Sequence, residues 1–336
     1  MKLSNRLLSA MLALALIGAL AVTGCTTNGG ETEPSGEATS TGEAKAAPIK
    51  IGTLATQDAL PLWVAEDSGY FKAEGLDDVE IITFQSAQEE QVAFSSGTVD
   101  ALMTDLIVSA NVRASGMPVK VATIMLGADT TEGRFAVVAA PKSGIKTMAD
   151  LKGVPVGTAS ATITEYVLDK LAEEGGLAAS DVKKEEIKKM PVRFQLLMAG
   201  KVKAASLPEP FVTLAEQSGA TIVEGGDDTK AAENISQSVL AVNGDYAASE
   251  DGGAALAAVL RAWNTAVVDI NDDPNAFRQT LVDQARLPAP LATTYPVSTY
   301  PLAAPPSVEM VQSVLDWMQE KGYLKATVTP QDLLGE

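Results

Sequence analysis

The 336-residue chain contains no histidine and a single cysteine, Cys25. Histidine is the usual proton-transfer group near neutral pH and the commonest zinc ligand. Its absence removes Ser-His and Cys-His nucleophile pairs and most zinc-hydrolase arrangements. A lone thiol excludes an internal disulfide, so packing must hold the fold. Basic residues are scarce too: 25 Lys and Arg stand against 43 Asp and Glu, for a formal charge of -18. Such a surface repels phosphate backbones, and nucleic-acid binding is not expected. No phosphate-loop or dinucleotide fingerprint occurs, and the Gly pairs at 175, 225 and 252 stand without that context. Carboxylates are plentiful, yet no spacing singles out a reacting pair. No catalytic residue, metal or cofactor is expected.

Apolar runs of spanning length are not expected beyond the first residues. Lys2 and Arg6 precede an apolar stretch over 7–22 that is too short and too poorly flanked to span a bilayer, and Val22-Thr23-Gly24 leads into Cys25. Residues 1–24 therefore read as a signal peptide. The junction resembles the lipobox of bacterial lipoproteins, which implies acylation of Cys25 and a mature chain held to a membrane through lipid. The location implied is the outer face of the plasma membrane or the periplasm. Residues 25–47 are almost entirely Thr, Gly, Glu, Ser, Ala and Pro, so they cannot bury enough apolar surface to offset chain entropy. They read as a flexible tether reaching roughly 70 Å at about 3.3 Å per residue when extended.

From residue 48 onward the pattern is α/β. Strands at 50–53, 79–84, 101–104 and 119–125 alternate with helices at 61–65, 88–96 and 106–114, which predicts a mainly parallel sheet with covered faces. The series restarts at 134–140 and repeats through strands at 154–157, 182–187, 204–207 and 220–223 with helices at 162–174, 193–199 and 211–218. A strand at 237–242 crosses back, and helices at 253–270, 275–285 and 307–321 complete the chain around a Pro- and Tyr-rich loop at 287–306. Two series joined by two crossings predict two lobes with a two-strand hinge. Lobe 1 is expected over 48–135 and 243–336, and lobe 2 over 136–242.

Ligands of open α/β sheets bind beyond the carboxyl ends of strands, so candidates come from those ends. In lobe 1 they are Thr56, Gln57, Asp58 and Leu60, then Gln85 and Ser86, then Thr104 and Asp105. Each polar side chain among them suits ligand contact or local turn capping equally. In lobe 2, Ser160, Ala161 and Thr162 precede a helix whose exposed N–H groups suit an anionic group, or form an ordinary cap. Glu209 is placed to accept from an amino group and Phe211 to stack, unless Phe211 packs under its helix and Glu209 faces water. Asp58, Asp105, Glu165 and Glu209 gather near the expected cleft, against Arg134 and Arg193. An inorganic anion wants more positive charge than that. The balance favours an organic ligand with donor groups, such as an amine, aminopyrimidine or amidine, over nitrate.

Several short motifs carry a family likeness over about 49 to the C-terminus. Leu62-Trp63-Val64-Ala65, Gly69-Tyr70-Phe71, Glu74-Gly75-Leu76, Gly97-Thr98-Val99-Asp100, Asp150-Leu151-Lys152-Gly153 and Glu209-Pro210-Phe211 follow one another in the order seen in solute-binding proteins of ABC importers for nitrate, sulfonates and taurine. The sequence resembles that family, which also includes binders of pyrimidine precursors of thiamine. The resemblance implies a type II periplasmic binding protein fold, a small-molecule ligand of sulfonate, amine or pyrimidine type, ABC permease partners and no enzymatic step. A monomer is expected. Two other functions were weighed: a ligand-sensing module for a membrane receptor, and a pyrimidine-biosynthesis enzyme on the same fold. The enzymes of that second class use histidine and a cysteine-rich segment, and this chain has neither.

Overall fold

A computed structural model describes residues 46–335 apart from 289, 290 and 292. The expected signal peptide, the acylated Cys25 and the tether up to residue 45 lie outside the described residues.

The first series runs β1 (Ile49–Leu54), α1 (Leu60–Asp67), α2 (Tyr70–Ala73), β2 (Val79–Phe84), α3 (Ala87–Ser95), β3 (Ala101–Asp105), α4 (Leu106–Ala114) and β4 (Val119–Leu126). Pro61 sits in the first turn of α1, where its missing N–H breaks no helical bond. The second comprises β5 (Phe135–Ala139), β6 (Pro155–Thr158), α5 (Ile163–Glu174), β7 (Lys183–Glu186), α6 (Met190–Met198), β8 (Ala204–Pro208), α7 (Phe211–Gln217) and β9 (Thr221–Asp227). Between β5 and β6, Thr147 and Asp150 form the capping box their spacing predicts, although the element they open is a single 3-10 turn. The chain ends with β10 (Ser238–Asn243), α8 (Gly244–Ala248), α9 (Glu250–Asp272), α10 (Pro274–Gln284), α11 (Val308–Glu320) and α12 (Pro330–Leu334).

Two five-stranded sheets result, ordered β2-β1-β3-β10-β4 and β7-β6-β8-β5-β9. Within the first, β1 pairs in parallel with β2 and β3, while β10 is antiparallel to both β3 and β4. Within the second, β6 is parallel to β7 and β8, while β5 runs antiparallel to β8 and β9. Each sheet thus takes its antiparallel member from the chain that has just crossed over from the other. Strand pairing corrects the lobe boundaries: Phe135 belongs to the second sheet, and 238–242 to the first. The crossings are the segments 127–134 and 228–237.

Those crossings touch. Gly127 has φ +82°, and a Cβ placed there would lie 2.1 Å from the backbone oxygen of Ser236. Asn234 Nδ2 donates to Gly127 O at 2.7 Å, pinning one crossing to the other.

Helix α9 reaches the length and mean hydropathy of a membrane span, contrary to the expectation that no second stretch does. Its apolar face, including Val259, Trp263, Val267 and Ile270, is buried in the core of the first lobe. Helix α11 departs further from expectation. It buries Val311, Val314, Leu315, Trp317 and Met318, a spacing that puts one stripe inward. That stripe shares a core with Ile107 and Val108 of α4 and with Val167 and Leu168 of α5, so the helix spans both sheets' helical layers rather than belonging to lobe 1 alone. Its polar contacts go to the second lobe. Tyr166 and Ser313 share a hydroxyl hydrogen bond of 3.0 Å, and Trp317 Nε1 and Lys321 Nζ donate to Asp169 at 3.2 and 3.0 Å.

Candidate functional site

The carboxyl ends of β1, β3, β6 and β8 converge on a cavity of about 60 Å³ walled by both sheets. Thr56, Gln57 and Asp58 line it after β1, Thr104 and Asp105 at the end of β3, Thr162 after β6 and Glu209 after β8, as the sequence predicts. The crossings add Arg134, Ser236 and Gln237, and the first residue of β10 adds Ser238. Pairing of β10 with β3 sets Ser238 directly opposite Asp105.

The other expected contacts lie elsewhere. Leu60 is fully buried in the first core because the opening turn of α1 faces the sheet rather than the cleft. Gln85 is exposed at the rim, where its Oε1 accepts from Lys189 Nζ at 3.2 Å. Ser86 is buried as the cap of α3, its hydroxyl accepting from Glu89 N at 3.2 Å. Phe211 packs against Phe194 with ring centroids 6.0 Å apart, inside the core beneath α7. Glu165 points away from the cavity toward Lys184, Lys321 and Tyr323, with Tyr323 Oη donating at 2.7 Å.

Three of the donors at the start of α5 are already engaged. Ser160 N donates to Glu186 Oε2 at 2.9 Å, Ala161 N to Glu165 Oε2 at 2.8 Å, and Ile163 N to Asp105 Oδ2 at 3.0 Å. Carboxylates of the chain itself thus hold the place where an anionic ligand group was expected. Ser160 and Ala161 do not line the cavity, and the Thr162 hydroxyl donates back to Ala159 O at 2.7 Å. Asp105 has two duties here. Its Oδ1 caps α4 through Val108 N at 2.7 Å, while its Oδ2 reaches the opposite lobe.

Glu209 lines the cavity with both oxygens engaged. Oε1 accepts from Arg134 Nη1 at 3.2 Å and Thr213 Oγ1 at 2.9 Å, and Oε2 from Thr213 N at 3.1 Å. Tyr295 Oη, from the Pro- and Tyr-rich loop, donates to Gln57 Oε1 at 2.9 Å and lies 3.4 Å from Glu209 Oε2. Arg134 also pairs with Glu216 at 2.9 Å and approaches Asp227 at 3.8 Å. Arg193 is buried in the lobe-2 wall, donating Nε and Nη2 to Ile187 O and Nη1 to Ser206 O. Burial lowers its pKa to about 10.

Two buried polar atoms at the cavity have no partner within the protein, Thr104 Oγ1 and Gln88 Oε1, while the Thr56 and Ser238 hydroxyls lie against the Asp58 carboxyl. An unpaired buried polar group costs about 1–3 kcal/mol, so the two unpaired atoms are acceptors and donors offered to an occupant. Glu90, on α3 beside the cavity, is fully buried with neither carboxylate oxygen bonded. Sequence reasoning missed it, although Ala87, Glu90 and Phe94 share one face by helical spacing and Phe94 marks that face as inward. Gln88 and Tyr295 were missed as well, the latter because its loop carries no periodic signal.

Burial dominates the carboxylates' protonation. It raises Asp58 and holds Asp105 at about 6, despite the Val108 and Ile163 N–H groups that favour the anion. It lifts Glu90 well above the ordinary carboxylate range, helped by the charges of Asp58 and Asp105. Asp228, buried in the second crossing and accepting from Phe135 N at 2.8 Å, is pushed by burial to about 7. Groups raised in this way bind protons more tightly in the folded chain than in the unfolded one. Their stabilising contribution is full below about pH 4 and is lost as pH rises through about 6 for Asp105 and 7 for Asp228. Asp332, held at about 2 chiefly by Thr329 N–H, acts below this window. Urea midpoints of ligand-free protein are therefore expected to fall between pH 5 and 8, and Asp228→Asn to flatten that fall. A midpoint rising across the window contradicts this assignment.

The mouth is bridged. Lys189 Nζ pairs with Glu89 at 2.8 Å, and Gln88 Nε2 donates to Ser160 O at 3.4 Å, each joining the two lobes.

A family model described as NMT1/THI5 like matches residues 56–276. Among solved structures, the periplasmic aliphatic sulphonate-binding protein SsuA of Escherichia coli is similar at 20% identity and TM-score 0.69, over 85% of this chain and 91% of that one. The alkanesulfonate-binding protein SsuA of Xanthomonas axonopodis pv. citri, bound to MOPS, gives 18% identity and TM-score 0.70 over 84% and 96%. The periplasmic nitrate-binding protein NrtA of Synechocystis PCC 6803 gives 13% identity and TM-score 0.68 over 87% and 86%. No curated protein matches by sequence. At these identities the solved structures speak for the fold: the α/β, two-lobed architecture of periplasmic binding proteins.

Proposed function

This chain belongs to the NMT1/THI5-like family, and we propose that it is the extracytoplasmic solute-binding subunit of an ABC importer, lipid-anchored through Cys25. It captures a small organic molecule between its lobes and delivers it to the permease as a monomer, without bond chemistry. The observation that carries this reading is the cavity walled by both sheets, with a buried Thr104 hydroxyl that has no partner in the protein and the Thr56 and Ser238 hydroxyls set against Asp58. A ligand bonding both walls favours the closed arrangement and shifts the equilibrium toward it. The similar sulphonate- and nitrate-binding proteins support the same role.

The test is closure driven by a ligand. Val92 on α3 and Val192 on α6 are exposed, 68% and 41%, and sit on helices of opposite lobes, so dyes on Val92→Cys and Val192→Cys report the distance across the mouth. A compound retained from a metabolite extract should raise energy transfer and stabilise the protein by about 2.7 kcal/mol at a hundred times its Kd. If nothing is retained, or if the retained compound leaves the distance unchanged, the clamshell reading fails. A mature chain whose mass lacks an acyl group at Cys25 removes the anchor.

A further inference from the structure

The two halves of the cavity wall differ in charge. On the first-sheet side the lining includes Asp58 and Asp105, with Glu90 buried behind, and no Lys or Arg. On the other side Arg134 is engaged by Glu209, Glu216 and Asp227, and Arg193 directs three of its N–H groups at backbone carbonyls. Three of the donors at the start of α5, which would suit a sulfonate or nitrate, are taken by Glu186, Glu165 and Asp105. The Thr56, Thr104 and Ser238 hydroxyls, on residues at most 7% exposed, face the acidic half; those of Thr56 and Ser238 lie against Asp58, and that of Thr104 has no partner. Glu90 has no counter-ion and no hydrogen bond, so its burial keeps it protonated unless a positive charge lies nearby.

Building on the solute-binding reading, we propose that the ligand is an organic cation whose protonated, hydrogen-bond-donating end lies against the first sheet, with Asp58 and Asp105 as counter-charges and the Thr56, Thr104 and Ser238 hydroxyls as acceptors. Glu90 supplies a second layer of negative charge behind them. Asp105 also couples charge to closure, because its second oxygen accepts from Ile163 N of the opposite lobe. A cation at this place holds the carboxylates ionised against the burial that favours their protonation. Binding therefore releases protons, and affinity rises with pH between about 5 and 7.5. Of the titratable groups on other elements, the buried Tyr300 hydroxyl lies near Asp58 and stays neutral across this range, while Arg134, Arg193 and Glu209 line the opposite wall.

The experiment uses charge-matched probes on the purified full-length protein: butylammonium, butanesulfonate and butanamide; benzamidinium, benzenesulfonate and benzamide; and nitrate. Binding is read by calorimetry, alongside mass-spectrometric identification of whatever the protein retains from a metabolite extract. The expected result is a cation bound at least tenfold more tightly than its isosteric anion and amide, and a retained compound with a protonated nitrogen. Asp58→Asn and Asp105→Asn should each lose about tenfold or more in cation affinity, equal to about 1.4 kcal/mol per tenfold, with unchanged circular dichroism. Asparagine at 105 can still accept from Val108 N, so the cap of α4 survives the loss of charge. Tighter binding of a sulfonate, nitrate or amide overturns the charge assignment while leaving the solute-binding reading intact, provided the lobes close. Undiminished cation binding by both variants overturns it too. If no probe and no extract component binds, the solute-binding reading falls and takes this inference with it.

Discussion

Replacing Gly127 by alanine is expected to lower the unfolding free energy by about 3 kcal/mol. Left-handed backbone costs a residue with a Cβ roughly 1–2 kcal/mol, and overpacking typically adds about 1–3 kcal/mol. At φ +82° the new methyl would meet the Ser236 carbonyl at 2.1 Å, and that atom is backbone, unable to rotate aside. The residue stands where the two crossings touch, so relief requires one crossing to move away from the other. Gly116→Ala is the control. It shares a positive φ, +92°, but has open space around the added methyl, so it should cost only the roughly 1–2 kcal/mol of the backbone term. Urea unfolding of both variants separates the two contributions. Equal losses would mean that the crossings do not press on each other.

Removing the carboxylate of Asp169 is the second large effect. Asp169 is fully buried, with Lys184 Nζ at 2.5 Å, Lys321 Nζ at 3.0 Å and Trp317 Nε1 at 3.2 Å. Burial disfavours the charged amine of Lys321, but hydrogen bonding to Asp169 and the charges of Asp169 and Glu165 outweigh it and hold its pKa above the usual lysine value. Asp169→Ala leaves two ammonium groups facing Glu165 alone and an indole N–H without its acceptor. Breaking a buried pair on one side costs about 3–5 kcal/mol; the lysines retain some contact with water, so about 3 kcal/mol is expected here. Because Lys321 follows α11 and Asp169 lies on α5, the loss should also detach α11 from the second lobe, exposing amides of 308–320 to faster hydrogen exchange. A double-mutant cycle with Lys184→Met checks the coupling. Additive losses would show that the charges act independently.

Local patterns carried much of this molecule. Alternating short apolar runs and helical stripes gave the order of strands and helices, and Thr147 with Asp150 formed the capping box their spacing predicts. Strand ends pointed to Thr56, Asp58, Thr104, Asp105 and Glu209, all of which line the cavity. The misses share a cause. Leu60 and Phe211 follow the same strand ends as lining residues do, but the first turn of a helix turns them into the core. Glu165 looked like a cleft carboxylate until the turn after α11 supplied Lys321 and Tyr323, 156 and 158 residues along the chain. The strand at 238–242 had the right period for either sheet, and only pairing with β3 and β4 assigned it.

By itself, the sequence determined the chemistry this protein lacks, the acidic character of its surface and the two repeated βα series, because composition and short-range periodicity are properties of neighbouring residues. The tertiary structure decided which carboxylates remain open to the cavity and which are already bonded to lysines, arginines or the start of α5. That outcome depends on partners brought together from distant parts of the chain, and in a buried site those partners set each group's direction, protonation and cost.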